Sequence, residues 1–276
     1  MGEQTSAEQQ QANPAVRDRS RRRRPRRRTS VTGVIGELLI TAGIVAMLYV
    51  AWQLWIGDFI YGAQRNAAGA ELSEQWAQQA PPLIPEPSAS PEDDVEEDVA
   101  QEMEIPVLPE PADTEIFGVM HIPRFGDDYA VEMAGGTSRA GTLDPIGIGH
   151  YPGSPMPGET GNFAVAAHRT TYGKPFNRIA DLQVGDAIVV EVEEGWYTYR
   201  FRTLEYVTPT EVDVLAAVPQ VPSAEANGKY ITMTSCSPMY SLAERIVAYG
   251  VFESFTPRDA DDPAALPEAL TEGVPA

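Results

Sequence analysis

Residues 187–207 read AIVVEVEEGWYTYRFRTLEYV, two runs of β-branched and aromatic residues with alternating polarity on either side of Glu194-Gly195. Alternation with a period of two sends successive side chains to opposite faces of an extended strand, and an acidic residue followed by glycine between two such runs is a hairpin turn. Residues 163–167, 230–234 and 245–252 are similar runs, each bounded by Gly, Pro or Asp. Several short strands punctuated this way predict a mainly β fold: a closed or nearly closed barrel of short strands with few short helices. Sustained helical periodicity is expected only in the apolar segment near the N-terminus.

Outward from the strands, the chain changes character. Of its 276 residues, 20 are Lys or Arg and 40 are Asp or Glu, a formal charge of −20 that argues against nucleic-acid binding. Nine arginines lie between Arg17 and Arg28, so residues 1–30 read as a basic cytoplasmic tail. Residues 38–56 form an uncharged run of 19, about 28 Å as a helix and close to the thickness of a bilayer core. A single transmembrane helix is expected over 31–57, with Trp52, Trp55 and Tyr61 as interfacial anchors. A cleaved signal peptide is the competing reading, although its apolar region would be shorter. The arginines keep the N-terminus in the cytoplasm, which leaves everything after the span outside the cell, and they are suited to hold the anionic headgroups of membrane lipid.

Between Arg65 and Arg124 there is no Lys or Arg, and the middle of that stretch is rich in Pro and acids. Residues 58–114 therefore read as an acidic Pro-rich extracytoplasmic linker acting as a spacer, with some helix over 67–79. Residues 115–256 are the right size for one β-barrel domain, and 257–276 read as a disordered acidic tail.

Cys236 is the only cysteine, so no internal disulfide can form. It ends the strand YITMTS, and Arg245 opens the strand RIVAYGVF nine residues beyond that cysteine. Antiparallel pairing of the two strands would make thiol and guanidinium neighbours. A cation favours the thiolate, and a guanidinium can also stabilise an oxyanion. Cleaving an amide further requires a proton donor for the departing amine. Of the three histidines, His121, His150 and His168, the last follows the apolar strand NFAVAA and precedes the polar RTTYGKP, so it is the favoured carrier. Spacing alone leaves the plain alternatives open: a packed small cysteine, a structural histidine, a solvated arginine. No cysteine or histidine pair has metal-ligand spacing, and no Gly-rich phosphate loop is present, so no cofactor is expected.

The stretch 117–252 resembles the sortases, membrane-anchored cysteine transpeptidases of Gram-positive bacteria. GVMHIPRFG (118–126) is similar to the family's opening strand, GHYPGSPMPGETGNFAVAAHRTTYGKPF (149–176) to the loop and strand that lead to its catalytic histidine, and TMTSC (232–236) with ERIVAYG (244–250) to its cysteine and arginine strands. The GHYPG and HRTTYG wording is most similar to actinobacterial class E sortases. The resemblance implies that Cys236, His168 and Arg245 are catalytic, with His150, Thr234 and Ser235 as candidate groove residues. Three departures from the family wording, Met233 for Leu, Ser235 for Thr and Ala167 for Gly, are expected to border the cleft.

The implied reaction is cleavage of the Thr-Gly bond of an LPXTG- or LAXTG-type sorting signal through a thioacyl enzyme. The acyl group then passes to an amine of a peptidoglycan precursor or a pilin. The partners would be secreted proteins that carry such signals. Two other readings stand beside it: a thiol hydrolase of the same bond, and a catalytically silent wall-binding or scaffold module.

Overall fold

The computed structural model describes residues 30–52, 57–79, 105–259, 262 and 265–272. The arginine block, Trp55, the most acidic part of the expected linker (80–104) and, in the C-terminal tail, 260–261, 263–264 and 273–276 lie outside the described residues. The chain divides into two compact units, 1–49 and 50–276. In the first, helix α1 (Val31–Ala51) is 21 residues long, with a mean hydropathy of 2.1 and no burial in its most apolar window, a candidate membrane span. A helix satisfies its own backbone hydrogen bonds, which is why an all-round apolar segment can adopt it in lipid.

The second unit is built on eight strands: β1 (Ile116–His121), β2 (Ala130–Gly135), β3 (Ile148–His150), β4 (Gly161–Ala167), β5 (Ala187–Val192), β6 (Gly195–Val207), β7 (Lys229–Ser237) and β8 (Glu244–Pro257). They close into a barrel in the order β1-β2-β3-β4-β7-β8-β6-β5. The β2–β3 and β4–β7 pairs are parallel and the rest antiparallel. The expected hairpin joins β5 and β6, but its turn is Glu193-Glu194, one residue earlier than expected, and Gly195 opens β6.

Inside the barrel, alternate side chains interlock: Phe163, Val165 and Ala167 from β4, Ile188 and Val190 from β5, Tyr197 and Tyr199 from β6, Ile231 and Met233 from β7, Ile246 and Ala248 from β8. The opposite parity of the same strands faces outward. On β8 that face carries Val247 and Tyr249, which pack with Val214 in a separate small cluster. On β7 and β4 it carries Thr232 and Asn162, joined by a 2.7 Å hydrogen bond from the threonine hydroxyl.

Outside the barrel, sequence and structure part company. Residues 58–79 at the start of the expected linker form a 22-residue helix, α2 (Asp58–Gln79), which packs on β2, β1 and β5. Its contact stripe runs Gly62, Arg65, Gly69, Leu72, Ser73, Trp76, at the three- and four-residue spacing of one helix face. That stripe escapes a search for apolar periodicity because four of its six residues are Gly, Ser or Arg. Gly69 is required for close approach: a Cβ there would collide with the Ala130 carbonyl on β2.

After residue 104 the chain is again on the barrel. Ile105 and Leu108 pack on the main core, the Tyr197 hydroxyl donates to Pro106 O at 2.6 Å, and Asp113 bridges to Gly135. Of the expected linker, 58–79 and 105–114 therefore belong to the folded unit, while 80–104 lie outside the described residues. The linker reading is corrected for those two described stretches only. The tail reading is corrected as well: α3 (Glu268–Thr271) puts Ala269 and Leu270 against Trp196.

Candidate active site

Cys236 on β7 and Arg245 on β8 are direct cross-strand partners in the antiparallel register, where Cβ atoms lie about 4.5–5.5 Å apart. Both have the outward parity of their strands, opposite to the core residues Met233 and Ile246. His168 follows β4 with the outward parity of Ala164 and Ala166, and β4 runs parallel to β7 with Ala166 beside Thr234. The three residues therefore emerge on one face at one end of the barrel. All three line one cavity of about 580 Å³, together with Leu143, Tyr151, Arg169, Tyr240 and Leu242.

The imidazole is held from two sides. His168 Nε2 lies 2.6 Å from Asp144 Oδ1, and the ring stacks on Tyr172 with centroids 5.3 Å apart and planes at 28°. Asp144 closes a short helical turn at 139–143, where Ser138 Oγ accepts from Gly141 N and the buried Thr142 hydroxyl donates to Gly135 O. Tyr172 lies in the loop after His168, pinned by Phe176 N donating to His168 O at 3.0 Å. Among the described residues, His168 Nδ1 has no hydrogen-bond partner.

The cations are placed differently from each other. The Arg245 guanidinium donates from Nη1 to the backbone carbonyls of Leu242 and Glu244, at 3.3 and 2.9 Å, and is in no ion pair among the described residues. Arg169, buried beside His168, donates from Nη1 to Cys236 O at 3.4 Å, while its Nε is buried with no partner among the described residues. A thiol, an imidazole oriented by a carboxylate and a guanidinium facing one cavity can carry nucleophilic attack, proton transfer and oxyanion stabilisation.

The expected groove residues divide. Thr234 and Ser235 line the cavity, Thr234 with its hydroxyl 2.9 Å from Tyr151 Oη and Ser235 donating to Ala167 O at 2.8 Å. His150 does not line it. Its ring is buried in the barrel and stacked on Phe163 at 5.5 Å, and Nε2 is 2.8 Å from Ser154 Oγ, while burial pushes its basicity down. The strand parity of β3 turns this histidine inward, so the groove assignment of His150 is corrected to a structural one. Met233, expected to border the cleft, is a core residue for the same reason, whereas Ala167 lines the cavity.

Sequence reasoning missed Asp144, Tyr172 and Arg169. A cue existed for each: Asp144 is the one carboxylate between Glu132 and Glu159, and Arg169 and Tyr172 both lie within the quoted HRTTYG.

Comparison with known proteins agrees with the geometry. The family profile described as the sortase domain matches residues 120–253. Sortase SrtE1 of Streptomyces coelicolor is 32% identical over 258 residues, covering 91% of this chain and 65% of its own length, so the chain spans just under two thirds of that relative. Sortase SrtE2 of the same organism is 30% identical, over 89% of this chain and 91% of its own length. Among solved structures, the SrtA sortase from Actinomyces oris superimposes with a TM-score of 0.55 at 32% identity, covering 60% of this chain and 92% of that one. The crystal structure of sortase E1 from Streptomyces coelicolor with a tripeptide in the active site gives 0.52 at 33% identity, covering 58% and 99%. Superposition on these solved sortases, and a sequence match over nearly the whole of SrtE2, mean that this chain belongs to the sortase family of cysteine transpeptidases.

Proposed function

We propose that this chain is a membrane-anchored transpeptidase that cleaves the Thr-Gly bond of an LPXTG- or LAXTG-type sorting signal and transfers the threonyl acyl group to a cell-wall or pilin amine. Cys236 Sγ, as thiolate, adds to the threonine carbonyl carbon. The oxyanion that forms is met by the Arg245 guanidinium. As the C–N bond breaks, His168 delivers a proton to the glycine amine, and a thioester on Cys236 remains. The acceptor amine then attacks that thioester and gives up its proton to His168, and thiolate departs. Asp144, bonded to Nε2, orients the ring during both proton transfers.

The observation that carries this reading is the Cys236–Arg245 cross-strand pair facing the cavity that His168 also lines. About 580 Å³ suits a short peptide, and Leu143, Tyr240 and Leu242 offer apolar contact for its leucine. The structure of Streptomyces coelicolor sortase E1 carries a tripeptide in its active site, which supports a peptide in the corresponding cavity here. The uncharged run at 38–56 behind the arginine block supports an anchor with the catalytic domain outside the cell. Holding enzyme and substrates at one surface raises their effective concentration.

The test incubates the purified protein with LAXTG and LPXTG peptides, with and without an amine acceptor, and follows masses. An acyl adduct on Cys236, resolved to an amide product when amine is present and absent from Cys236→Ala, is the expected result. Cleavage to free acid alone whatever the amine would make the protein a hydrolase, and cleavage by Cys236→Ala would remove the mechanism.

A further inference from the structure

Arg65 lies on α2, outside the barrel, yet its side chain is buried and reaches into the two loops that hold His168. Nε donates to Tyr172 O at 2.7 Å, Nη1 to Pro145 O at 3.3 Å, and Nη2 to Asp144 O. These are the backbones of the two residues that flank the imidazole, Asp144 through its carboxylate and Tyr172 through its ring. The loops are distant in sequence and come together at this one planar cation.

The slot is shaped for the guanidinium. A Cβ at Gly147 would press on Nη1 and one at Gly173 on Nε, and both glycines have positive φ, +134° and +76°. Tyr172 itself has a left-handed backbone, φ 53°, an unfavourable conformation for a bulky residue. Arg65 bonds the carbonyl of that residue. The Tyr61 ring, one turn earlier on α2, lies 6.5 Å from the Tyr172 ring, so the helix meets the loop at two points. Burial lowers the basicity of the guanidinium, and Glu132 and Asp144 act in the opposite direction. A buried cation with only donors needs such acceptors, and lysine could not span three carbonyls with a fixed fork.

We infer that Arg65 is a positioning residue for His168: by clamping the Asp144 and Tyr172 backbones it makes docking of α2 part of the assembly of the active site. This rests on the proposed role of His168, and the helix is joined to the candidate membrane span by only a few residues.

The experiment uses the full chain in detergent micelles, as wild type, Arg65→Ala and Arg65→Lys, with two independent readouts. The first is the steady-state kinetics of sorting-peptide cleavage. The second is the ¹³Cε1 spectrum of labelled histidines, with His168 assigned from His168→Gln. The expected result is a loss in kcat of about 10- to 100-fold at nearly constant KM for Arg65→Ala, the order that small misplacements of a reacting group cause. The His168 resonance moves while those of His121 and His150 stay. Arg65→Lys keeps the charge and loses the fork, so its His168 resonance moves as well; it decides the matter if the alanine variant does not fold.

An unmoved His168 resonance in a folded variant overturns the proposal. So does a kcat loss matched by the folded fraction, with all three histidine signals shifted together. Absence of cleavage by wild type would instead remove the functional reading, and the resonance would still decide whether Arg65 positions the ring.

Discussion

Asp144 Oδ1 lies 2.6 Å from Nε2 of His168. The carboxylate arrives from the turn before β3 and the imidazole from the end of β4, so the pair exists only in the folded barrel. It leaves Nδ1 as the ring nitrogen without a partner among the described residues, and it fixes the plane of the ring together with the stacked Tyr172. Asp144→Asn keeps the shape and removes the charge. We expect kcat for peptide cleavage to fall roughly 10- to 100-fold, within the range set by losing an oriented acid–base group, with Cys236 still open to alkylation. Unchanged kcat would show that the pair is structural.

Arg245 faces Cys236 across the strand pair and is bonded only to backbone carbonyls among the described residues. Replacing it with lysine retains a charge but loses the planar donor set. A fall in kcat on the order of 10²–10³-fold is expected for Arg245→Ala, the size of an oxyanion donor's contribution, with a smaller loss for Arg245→Lys. Burst kinetics of the acyl adduct measure the first half of the cycle directly, and formation of the thioester should slow. A full-size, wild-type-rate burst would exclude oxyanion contact.

Acid stability should depend on Glu191. Burial alone would raise its carboxyl, but bonds from His121, Arg258 and Ser73 outweigh burial and hold it below the ordinary value of 4.5. A depressed folded value means that the contribution is complete above about pH 4.5 and is lost as pH falls through that lower folded value. Thermal melts of wild type should therefore show a drop in Tm on acidification in that window. Glu191→Gln should lack this component and be less stable at neutral pH by roughly 3–5 kcal/mol, because the buried Glu191–Arg258 ion pair is broken. Parallel Tm–pH curves for the two proteins would contradict it.

Docking of α2 should be sensitive to Gly69. A valine there meets the Ala130 carbonyl, and overpacking of this kind costs about 1–3 kcal/mol. Gly69→Val is expected to lower Tm and to open α2 to limited proteolysis near Arg65. Wild-type resistance would mean that the helix tolerates a larger separation from β2.

The barrel was legible because its strands carry their faces in the sequence: alternation in 187–207 and the apolar runs at 163–167, 230–234 and 245–252 give side and direction together. Cys236, His168 and Arg245 were legible for the same reason, as each adjoins such a run. His150 was misread because a three-residue strand with a glycine at its centre has too short a pattern to show its parity. The helix α2 was read in part as linker because its buried stripe holds Gly, Arg and Ser in place of leucines, and the end of the chain because α3 buries only one turn.

By itself the sequence determined the candidate span, the strand set, the one thiol and its pairing with Arg245, since all of these follow from local period and short-range connection. Which carboxylate meets His168, which ring stacks on it, and which distant helix ties their loops together were decided only by the tertiary structure. Asp144, Tyr172 and Arg65 meet through barrel closure and helix docking, and contacts between residues 24 to 107 positions apart leave no periodic trace along the chain.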